Sequence, residues 1–144
     1  MRTVHHILQG KGNDVWSVPP GSTVFEALGL MAGKNIGAVT VLENGTLVGI
    51  FSERDYARKV ILKGKSSKEL SVAEVMTSPV HSIAPGASIE ECMKLMTEKH
   101  IRHLPVISEG KLTGIISIGD VVKEIIADQR STIDHLSGYI SGKI

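Results

Sequence analysis

The sequence predicts an α/β (α+β) fold in which two β-α-β-β-α repeats pack about a pseudo-two-fold axis with their sheets facing each other. An internal duplication is the first observation behind this prediction. A shift of 65 residues aligns 15–60 with 80–125 without a gap, and 16 of the 46 aligned pairs are identical. The second observation is that both copies show the same order of strand, turn and helix signals. One such unit has too little core to stand alone, so we expect the copies to pack against each other.

Each copy begins with a short extended segment, at 15–18 and around Ile83, which ends at a Pro-Gly turn signal. A capping-box pattern, beginning at Thr23 in the first copy and at Ser88 in the second, then predicts a helix. Apolar residues at helical spacing follow each cap. The helices are predicted to end near Asn35 and His100. Two strands follow in each copy, at Ala38–Leu42 and Leu47–Phe51 in the first and at Leu104–Ile107 and Leu112–Ser117 in the second.

A second helix is predicted to begin at Ser52 and at Ser117, directly after the last strand of each copy. Between the copies, a polar linker precedes a short capped helix at 72–76. The tail 127–144 carries apolar residues at helical spacing, which predicts a terminal helix that extends the second helix or packs on a partner. The predicted division of the chain is a first repeat with an N-terminal helix and linker, 1–70, and a second repeat with a C-terminal helix, 71–144.

Composition excludes several classes of function. Lys and Arg total 16 against 15 for Asp and Glu, so the basic excess that binding to nucleic acid needs is missing. No apolar run approaches the roughly 18 residues of a membrane span, and the N-terminus lacks the features of a signal peptide. We therefore expect a cytoplasmic protein without nucleic-acid or membrane partners. The single cysteine, Cys92, excludes an internal disulfide and is predicted to be a small buried hydrophobe.

Both copies carry the pattern Gly-Ile-x-Ser-x-x-Asp where the last strand runs into the second helix, at 49–55 and 114–120. The N-terminus of a helix presents free N–H groups and the positive end of its dipole, which suits a phosphate. A carboxylate can accept both hydrogens of a ribose diol, so Asp55 and Asp120 are candidate ribose ligands. The same Ser-x-x-Asp pattern is also an ordinary capping box, in which the aspartate satisfies backbone N–H groups of its own helix. The residues alone leave both interpretations open.

In its two repeats, in the segment Ile-Arg-His-Leu-Pro-Val at 101–106 and in the two Ser-x-x-Asp endings, the chain resembles the tandem cystathionine-β-synthase (CBS) domain pair, or Bateman module, of the stand-alone type. The resemblance covers about 15–126, although the first copy lacks the basic pair and the proline at 36–41. It implies a non-catalytic, energy-sensing regulatory module that forms a homodimer and passes its ligand state to an unidentified partner protein. The implied ligand is AMP, ADP, ATP, NAD(H) or S-adenosylmethionine, without a metal.

In this family each site is shared between the copies. The resemblance implies one site made of Ser52, Arg54, Asp55, Val80, His81, Ile101, Arg102 and His103. Its serine, Arg54 and aspartate contact phosphate and ribose, residues 80, 81 and 101 contact the adenine, and Arg102 or His103 lies near the phosphate. The implied mirror site combines Ser117 and Asp120 with Val15, Trp16 and Ile36. Glycines stand at the mirror positions of both arginines, so we expect the Asp55 site to bind phosphorylated ligands more tightly.

Two other functions stay open. The chain could be a structural or adaptor dimer with vestigial sites, because a duplicated helix cap is inherited whether or not it binds a ligand. A small nucleotide hydrolase is the weaker alternative, since a base and nucleophile pair and a carboxylate cluster for a metal are both missing beside the proposed phosphate. The adjacent His5 and His6 do not converge on one metal in a helix or a strand.

Overall fold

The computed structural model describes residues 2–140, with side chains up to Leu136. The first half contains α1 (Val4–Lys11), β1 (Ser17–Val18), α2 (Val24–Lys34), β2 (Ala38–Glu43), β3 (Thr46–Ser52) and α3 (Glu53–Tyr56), which continues as a π-helical turn over Ala57–Ile61. The second half contains α4 (Val72–Val75), α5 (Ile89–Lys99), β4 (His103–Ser108), β5 (Lys111–Ser117) and α6 (Ile118–Ile140). Residues 141–144 of the predicted tail helix lie outside the described residues.

The sheets of the two repeats match, as the duplication predicts. In the first repeat, β1 pairs parallel with β2, and β2 pairs antiparallel with β3. In the second, β4 pairs antiparallel with β5, and a single parallel bridge from Ile83 to Val106 stands in the place of β1. The strands lie within two residues of their predicted bounds. The predicted α/β fold built from two repeats is confirmed.

The helices begin and end where the sequence predicts. Thr23 Oγ1 and Ser88 Oγ each accept the backbone N–H of the residue three positions on, at 3.1 Å in both repeats. Asn35 and His100 follow the last residues of α2 and α5 in the left-handed conformation, which stops a helix while satisfying its final carbonyls. The tail extends the second helix, because α6 runs on from the β5 corner to Ile140. None of the described helices, α6 included, combines the length and the apolarity needed to cross a bilayer.

The core consists of two clusters, and each is completed by a helix from outside its own repeat. Val4, Ile7 and Leu8 of α1 are buried among residues of the second repeat. Val72 and Val75 of α4 are buried among residues of the first. Because burying one aliphatic side chain contributes about 1.5–3 kcal/mol, this exchange links the stability of the two repeats. The predicted boundary between the two repeats, at 70/71, divides the chain by its order in sequence, and it stays a prediction.

Cys92 lies in the core cluster of the second repeat and is fully buried. Burial raises the pKa of its thiol to about 11. The thiol therefore stays protonated at neutral pH and is a poor nucleophile. The sequence prediction of a small buried hydrophobe at this position is confirmed.

Candidate functional site

The corner between β3 and α3 is a reciprocal capping box. Asp55 N–H donates to Ser52 Oγ at 3.2 Å, and Ser52 N–H donates to Asp55 Oδ2 at 3.0 Å. The Ser52 hydroxyl donates to the same carboxylate oxygen at 3.1 Å. The capping interpretation of the Ser-x-x-Asp pattern is therefore confirmed at this corner. Because the cap uses only Oδ2, any contact between Asp55 and a ligand must involve the other oxygen, Oδ1.

Asp55 Oδ1 faces two donors of the chain itself. Thr77 Oγ1 donates to it at 3.0 Å, and Lys59 Nζ lies 3.0 Å from it. The Lys59 ammonium also donates to the carbonyl of Val75 at 3.1 Å. Asp55 is only 8% exposed, whereas the Lys59 side chain is 42% exposed. A ligand hydroxyl can therefore reach Oδ1 only by exchange with one of these donors, and Lys59 is the one with room to move.

An open cleft of about 780 Å³ lies between this corner and the connection from α5 to β4 in the second repeat. Small-molecule sites typically occupy about 300–1,000 Å³. The cleft brings together six of the predicted site residues, Ser52, Arg54, Asp55, Ile101, Arg102 and His103. It adds residues that the prediction did not include, Gly37, Ile50, Glu53, Arg58, Lys59, Thr77, Lys99 and His100. Both repeats thus contribute side chains to one concave surface.

Positive side chains outnumber negative ones around the cleft. Arginine or lysine occupies five of its positions, Arg54, Arg58, Lys59, Lys99 and Arg102. Its acidic residues are Glu53 and Asp55, and the latter is already paired with Lys59. Guanidinium and ammonium groups bind phosphates through charge-assisted hydrogen bonds. The lining therefore favours an anionic ligand.

Two contacts bring the repeats together at the cleft. Arg54 of the first repeat donates through Nη1 to the carbonyl of His100 in the second, at 3.0 Å. Gly37 of the first repeat also lies close to His103. A Cβ atom at position 37 would lie 3.2 Å from Glu53 Oε1 and 3.5 Å from His103 Nε2. The glycine that stands at the mirror position of Arg102 therefore allows Glu53 and His103 to approach the same point.

His103 is a neutral member of this basic surface. Burial lowers the pKa of its imidazole, and the positive charge of Lys11 lowers it further, while Asp120 and Glu53 act in the opposite direction. With its pKa below the ordinary value, the ring is uncharged at pH 7. Of the two residues predicted to lie near a phosphate, Arg102 is therefore the one that supplies charge.

The corner between β5 and α6 has the same cap and a different neighbour. Ser117 N–H donates to Asp120 Oδ2 at 2.8 Å, and Asp120 N–H donates to Ser117 Oγ at 3.2 Å. Lys11, the last residue of α1, donates from Nζ to the same Oδ2 at 2.7 Å and to Ile115 O at 3.0 Å. Burial raises the pKa of Asp120, but the hydrogen bonds from Lys11 and Ser117 and the Lys11 charge outweigh it and leave the pKa lowered. An ammonium group of the chain itself thus occupies the second corner.

The other predicted site residues lie outside the cleft. Val80 is half-buried and His81 is exposed, and neither lines it. Val15 and Trp16 precede β1, and a lysine ammonium lies 4.1 Å from the centroid of the Trp16 ring. Ile36 lines an adjoining cavity of about 530 Å³ formed by the first repeat, which shares Gly37 and Glu53 with the cleft. The ligand contacts predicted for these residues stay predictions.

Sequence reasoning missed the donors that reach Asp55. Lys59 could have been found from its spacing, because residues four apart lie on the same side of a helix. Thr77 gave no such signal. It lies in the connection between the repeats, outside the aligned segments, and the 65-residue shift places a glycine, Gly12, opposite it.

Lys11 was missed because the comparison of the repeats allowed no gap. The helices α1 and α4 correspond at a shift of 68 residues, which places Leu8 opposite Met76. Backbone bonds support this alignment, since Val4 N–H and Val72 N–H donate to equivalent carbonyls at 3.0 and 2.8 Å. The connection from Leu8 to the first strand is therefore three residues longer than its counterpart. Lys11 lies in this longer connection.

Within residues 2–136, no three side chains of His, Cys, Asp or Glu are placed to share a metal ion. One of the two adjacent histidines has a structural partner instead. His6 Nδ1 accepts the backbone N–H of Thr3 at 3.0 Å, which caps the start of α1.

Comparison with protein families gives one match that spans both repeats. A sequence model described as "CBS domain" matches residues 12–62 and 72–127. Its two matches correspond to the two halves of the duplication, and together they cover more than half of the chain.

Curated relatives match over most of the chain. The CBS domain-containing protein CBSX3, mitochondrial, of Arabidopsis thaliana is 35% identical over 150 residues, which cover 97% of this chain and 72% of that protein. The CBS domain-containing protein YhcV of Bacillus subtilis is 36% identical over 107 residues, which cover 74% of this chain and 76% of that protein.

Solved structures match in fold. A protein with CBS domains from Burkholderia ambifaria is 49% identical, with a TM-score of 0.85 over 89% of this chain and 96% of that one. A hexameric CBS-CP12 protein from bloom-forming cyanobacteria is 29% identical, with a TM-score of 0.76 over 85% of this chain and 70% of that one. The CBS domain pair of protein MJ0100, solved with 5′-methylthioadenosine and S-adenosyl-L-methionine, is 21% identical, with a TM-score of 0.79 over 89% of this chain and 98% of that one. At that identity the likeness shows the fold alone.

Proposed function

The chain belongs to the CBS-domain family as a tandem pair, and from that premise we propose that it is a non-catalytic regulatory module that binds an adenosine nucleotide. The proposed site is the cleft at the Asp55 corner. The observation that carries the proposal is the composition of this cleft, which joins a capped aspartate of one repeat to basic residues of the other. The aspartate can accept hydrogen bonds from a ribose, and the basic residues can bind a phosphate.

In the proposed complex, the ribose diol donates to Asp55 Oδ1 and displaces the Lys59 ammonium from it. Lys59 then turns toward the phosphates, where Arg54 and Arg102 add two guanidinium groups. This exchange keeps the carboxylate fully hydrogen-bonded, which matters because an unpaired buried charge is costly. Ile101 is an apolar residue of the lining and supports the adenine in the proposed complex, whereas residues 80 and 81 lie outside the lining and their adenine contacts stay predictions.

The proposed ligands are AMP, ADP, ATP or NAD(H). The structure of the MJ0100 pair with two adenosine compounds supports the adenosine class, because it shows such ligands bound to a pair of this fold. The cationic lining separates the candidates by charge. S-adenosylmethionine carries a positive sulfonium, which five basic side chains around the cleft disfavour. Phosphorylated adenosines carry the opposite charge.

Signalling is proposed to follow from the shared site. A ligand that contacts both repeats stabilises the relative arrangement in which those contacts form, and it shifts the equilibrium by its differential affinity for the two arrangements. A partner protein that senses this arrangement would respond to the nucleotide level, as an energy sensor does. We propose the cytoplasm as the location, on the sequence features given above.

We further propose that the chain forms a homodimer. Exposed apolar side chains lie along α6, at Ile118, Val122, Ile126, Ile133 and Leu136. The first repeat exposes Ile61 and Leu62, and Ile61 is the counterpart of Ile126 under the 65-residue shift. Two related apolar patches suit the self-complementary interface of a two-fold dimer. Sedimentation equilibrium that finds only a 15.4 kDa monomer would reject it.

A structural or adaptor dimer with vestigial sites is the second candidate, and one observation favours it. Both aspartates fold back onto the backbone of their own helices, as a cap without a ligand does. A small nucleotide hydrolase is the third candidate, and product formation from ATP or AMP above the buffer rate would support it over the binding module.

Calorimetric titration tests the proposal. AMP, ATP, NADH and S-adenosylmethionine are each added to the full chain, with inorganic triphosphate as the control for unspecific anion binding. We expect saturable heat from at least one phosphorylated adenosine compound and weaker binding of triphosphate alone. No saturable binding of any adenosine compound at millimolar concentration would leave the adaptor as the function.

A further inference from the structure

We propose that Lys11 determines how many nucleotides the chain binds, because its ammonium group occupies the Asp120 corner and keeps a ligand out of it. The inference rests on the proposed function, since it concerns the mirror copy of the proposed site. It predicts one nucleotide per chain, although the duplication supplies two Ser-x-x-Asp corners.

At the first corner, Thr77 donates to two acceptors, the carbonyl of Ile50 and the carboxylate of Asp55. The backbone N–H of Thr77 donates to the carbonyl of Ile50 at 2.8 Å. The hydroxyl of the same Thr77 donates to Asp55 Oδ1 at 3.0 Å. Both Thr77 donors are uncharged, and the positive charge that pairs with Asp55 comes from Lys59. Thr77 itself lines the open cleft.

At the second corner one ammonium contacts both the strand carbonyl and the carboxylate, although it uses the cap oxygen Oδ2, whereas Thr77 uses Oδ1. Lys11 Nζ donates to the carbonyl of Ile115 at 3.0 Å and to Asp120 Oδ2 at 2.7 Å. Ile115 and Asp120 are the counterparts of Ile50 and Asp55 under the 65-residue shift. Both aspartates pair with an ammonium, that of Lys59 through Asp55 Oδ1 and that of Lys11 through Asp120 Oδ2. The difference is that the Lys11 ammonium also takes the strand carbonyl, so a ligand that approaches Asp120 must displace it or share the carboxylate with it.

Lys11 is anchored at this corner by its helix. Three side chains of α1 are buried in the core of the second repeat, so the end of the helix is fixed beside β5. Just beyond the helix, Asn13 Nδ2 donates to the carbonyl of Thr113 at 3.1 Å. The ammonium therefore has a high local concentration at Asp120, and a ligand must compete with it. At the Asp55 corner the competing ammonium is that of Lys59, which also donates to the carbonyl of Val75 and whose side chain is 42% exposed, against 35% for Lys11.

Titration with ATP of the wild type and of Lys11→Met tests the inference. We expect one ATP per chain for the wild type and two for Lys11→Met, with affinity at the Asp120 corner raised roughly tenfold to a hundredfold by loss of the competing charge-assisted bond. Lys11→Arg keeps the charge and should still bind one ATP. Lys123→Met removes an exposed lysine from α6 and is the matched control. Asp120→Asn added to Lys11→Met should abolish the extra site.

A second readout needs no nucleotide. The carboxyl carbon of Asp120, followed by NMR as the pH is lowered, should report a higher pKa in Lys11→Met and in Lys11→Gln than in the wild type. The second variant keeps a polar side chain if methionine impairs folding, and thermal unfolding verifies both. An unchanged Asp120 pKa in the folded variants would show that the ion pair does not form, which overturns the inference.

The outcomes of the ATP titration separate the two proposals. Two ATP per wild-type chain, an unchanged count in Lys11→Met, or weaker binding in Lys11→Met would overturn the role of Lys11, and the last result would make Lys11 a phosphate ligand instead. If the wild type binds no ATP while Lys11→Met binds one that depends on Asp120, the proposed site at Asp55 is wrong and the inference about Lys11 stands.

Discussion

The Asp55 and Asp120 corners descend from one duplicated sequence and have the same hydrogen-bonded cap, but they differ in what lies beside the carboxylate. At the first, Thr77 and the partly exposed Lys59 face an open cleft with four other basic residues. At the second, Lys11 reaches in from a neighbouring helix and pairs with the carboxylate. The comparison teaches that the repeat determines the shape of a corner. Residues outside the repeat determine whether it is available to a ligand.

The largest expected effect concerns the helix that carries Lys11. Leu8 is buried against β5 so closely that a Cβ atom at Gly114 would lie 2.8 Å from Leu8 Cδ2. Leu8→Ala should lower the free energy of unfolding by about 2–5 kcal/mol, because it leaves a cavity in the core of the second repeat. Urea denaturation measures the loss. Gln9→Ala, at the exposed neighbouring position, is the control, and a loss below about 1 kcal/mol for Leu8→Ala would contradict the exchanged packing of α1.

The two aspartates should respond differently to the same substitution. Asp55→Asn removes the charge that accepts the ribose in the proposed complex, so ATP affinity should fall by roughly 10- to 150-fold, or about 1.5–3 kcal/mol. Asp120→Asn should change ATP affinity by less than about twofold, because Lys11 already excludes a ligand there. Calorimetry on folded variants, verified by circular dichroism, measures both. Equal losses in the two variants would remove the distinction between the corners.

Loss of the positive charge of Arg102 from the cleft should lower ATP affinity less than the loss of the Asp55 charge. Arg102→Gly gives the second copy the residue that the first has at position 37. Because Arg102 is exposed, ATP affinity should fall by only about threefold to tenfold. Affinity for adenosine, which has no phosphate, should not change. Lys111→Ala removes an exposed lysine that is not part of the cleft lining and is the control. An equal loss for adenosine and ATP would show that Arg102 does not contact the phosphate.

The smallest expected effect is on the pH dependence of stability. His103 has a lowered pKa in the folded chain because it is buried and lies near Lys11. Below the ordinary pKa of about 6.5, the unfolded state binds a proton that the folded state does not. Stability should therefore decrease as the pH falls from about 6.5 through the folded pKa. His103→Gln should flatten this part of the curve in denaturation at pH 7 and pH 5. A curve equally steep in the variant would assign the dependence to other groups.

Much of the fold was predictable because its signals are local. The caps at Thr23 and Ser88 and the helix ends at Asn35 and His100 depend on residues a few positions apart, and the 65-residue repeat confirms each signal with a second copy. Within the candidate site, the corners and Ile101 were predictable because both the repeat and the family resemblance contain them. Arg102 and His103 were predictable from the family resemblance alone, since the first copy has glycine and alanine at these positions.

The donors beside the aspartates could not be predicted in this way. Thr77 lies in the connection between the repeats and Lys11 is the last residue of α1, and both lie outside the ungapped match. Each reaches its aspartate through tertiary packing rather than sequence spacing. The lowered pKa of His103 likewise depends on burial between the repeats and on Lys11. Such contacts are set by where exchanged helices pack, which the sequence of one repeat does not encode.

Amide NMR during an ATP titration tests most directly the central claim that a nucleotide binds between the repeats at the Asp55 corner alone. The expected result is saturable chemical-shift change at Gly37, 52–59, Thr77 and 99–103, with Ser117 and Asp120 nearly unchanged. Similar changes at both corners would contradict the claim, as would shifts confined to the exposed face of α6 or no saturable change at millimolar ATP.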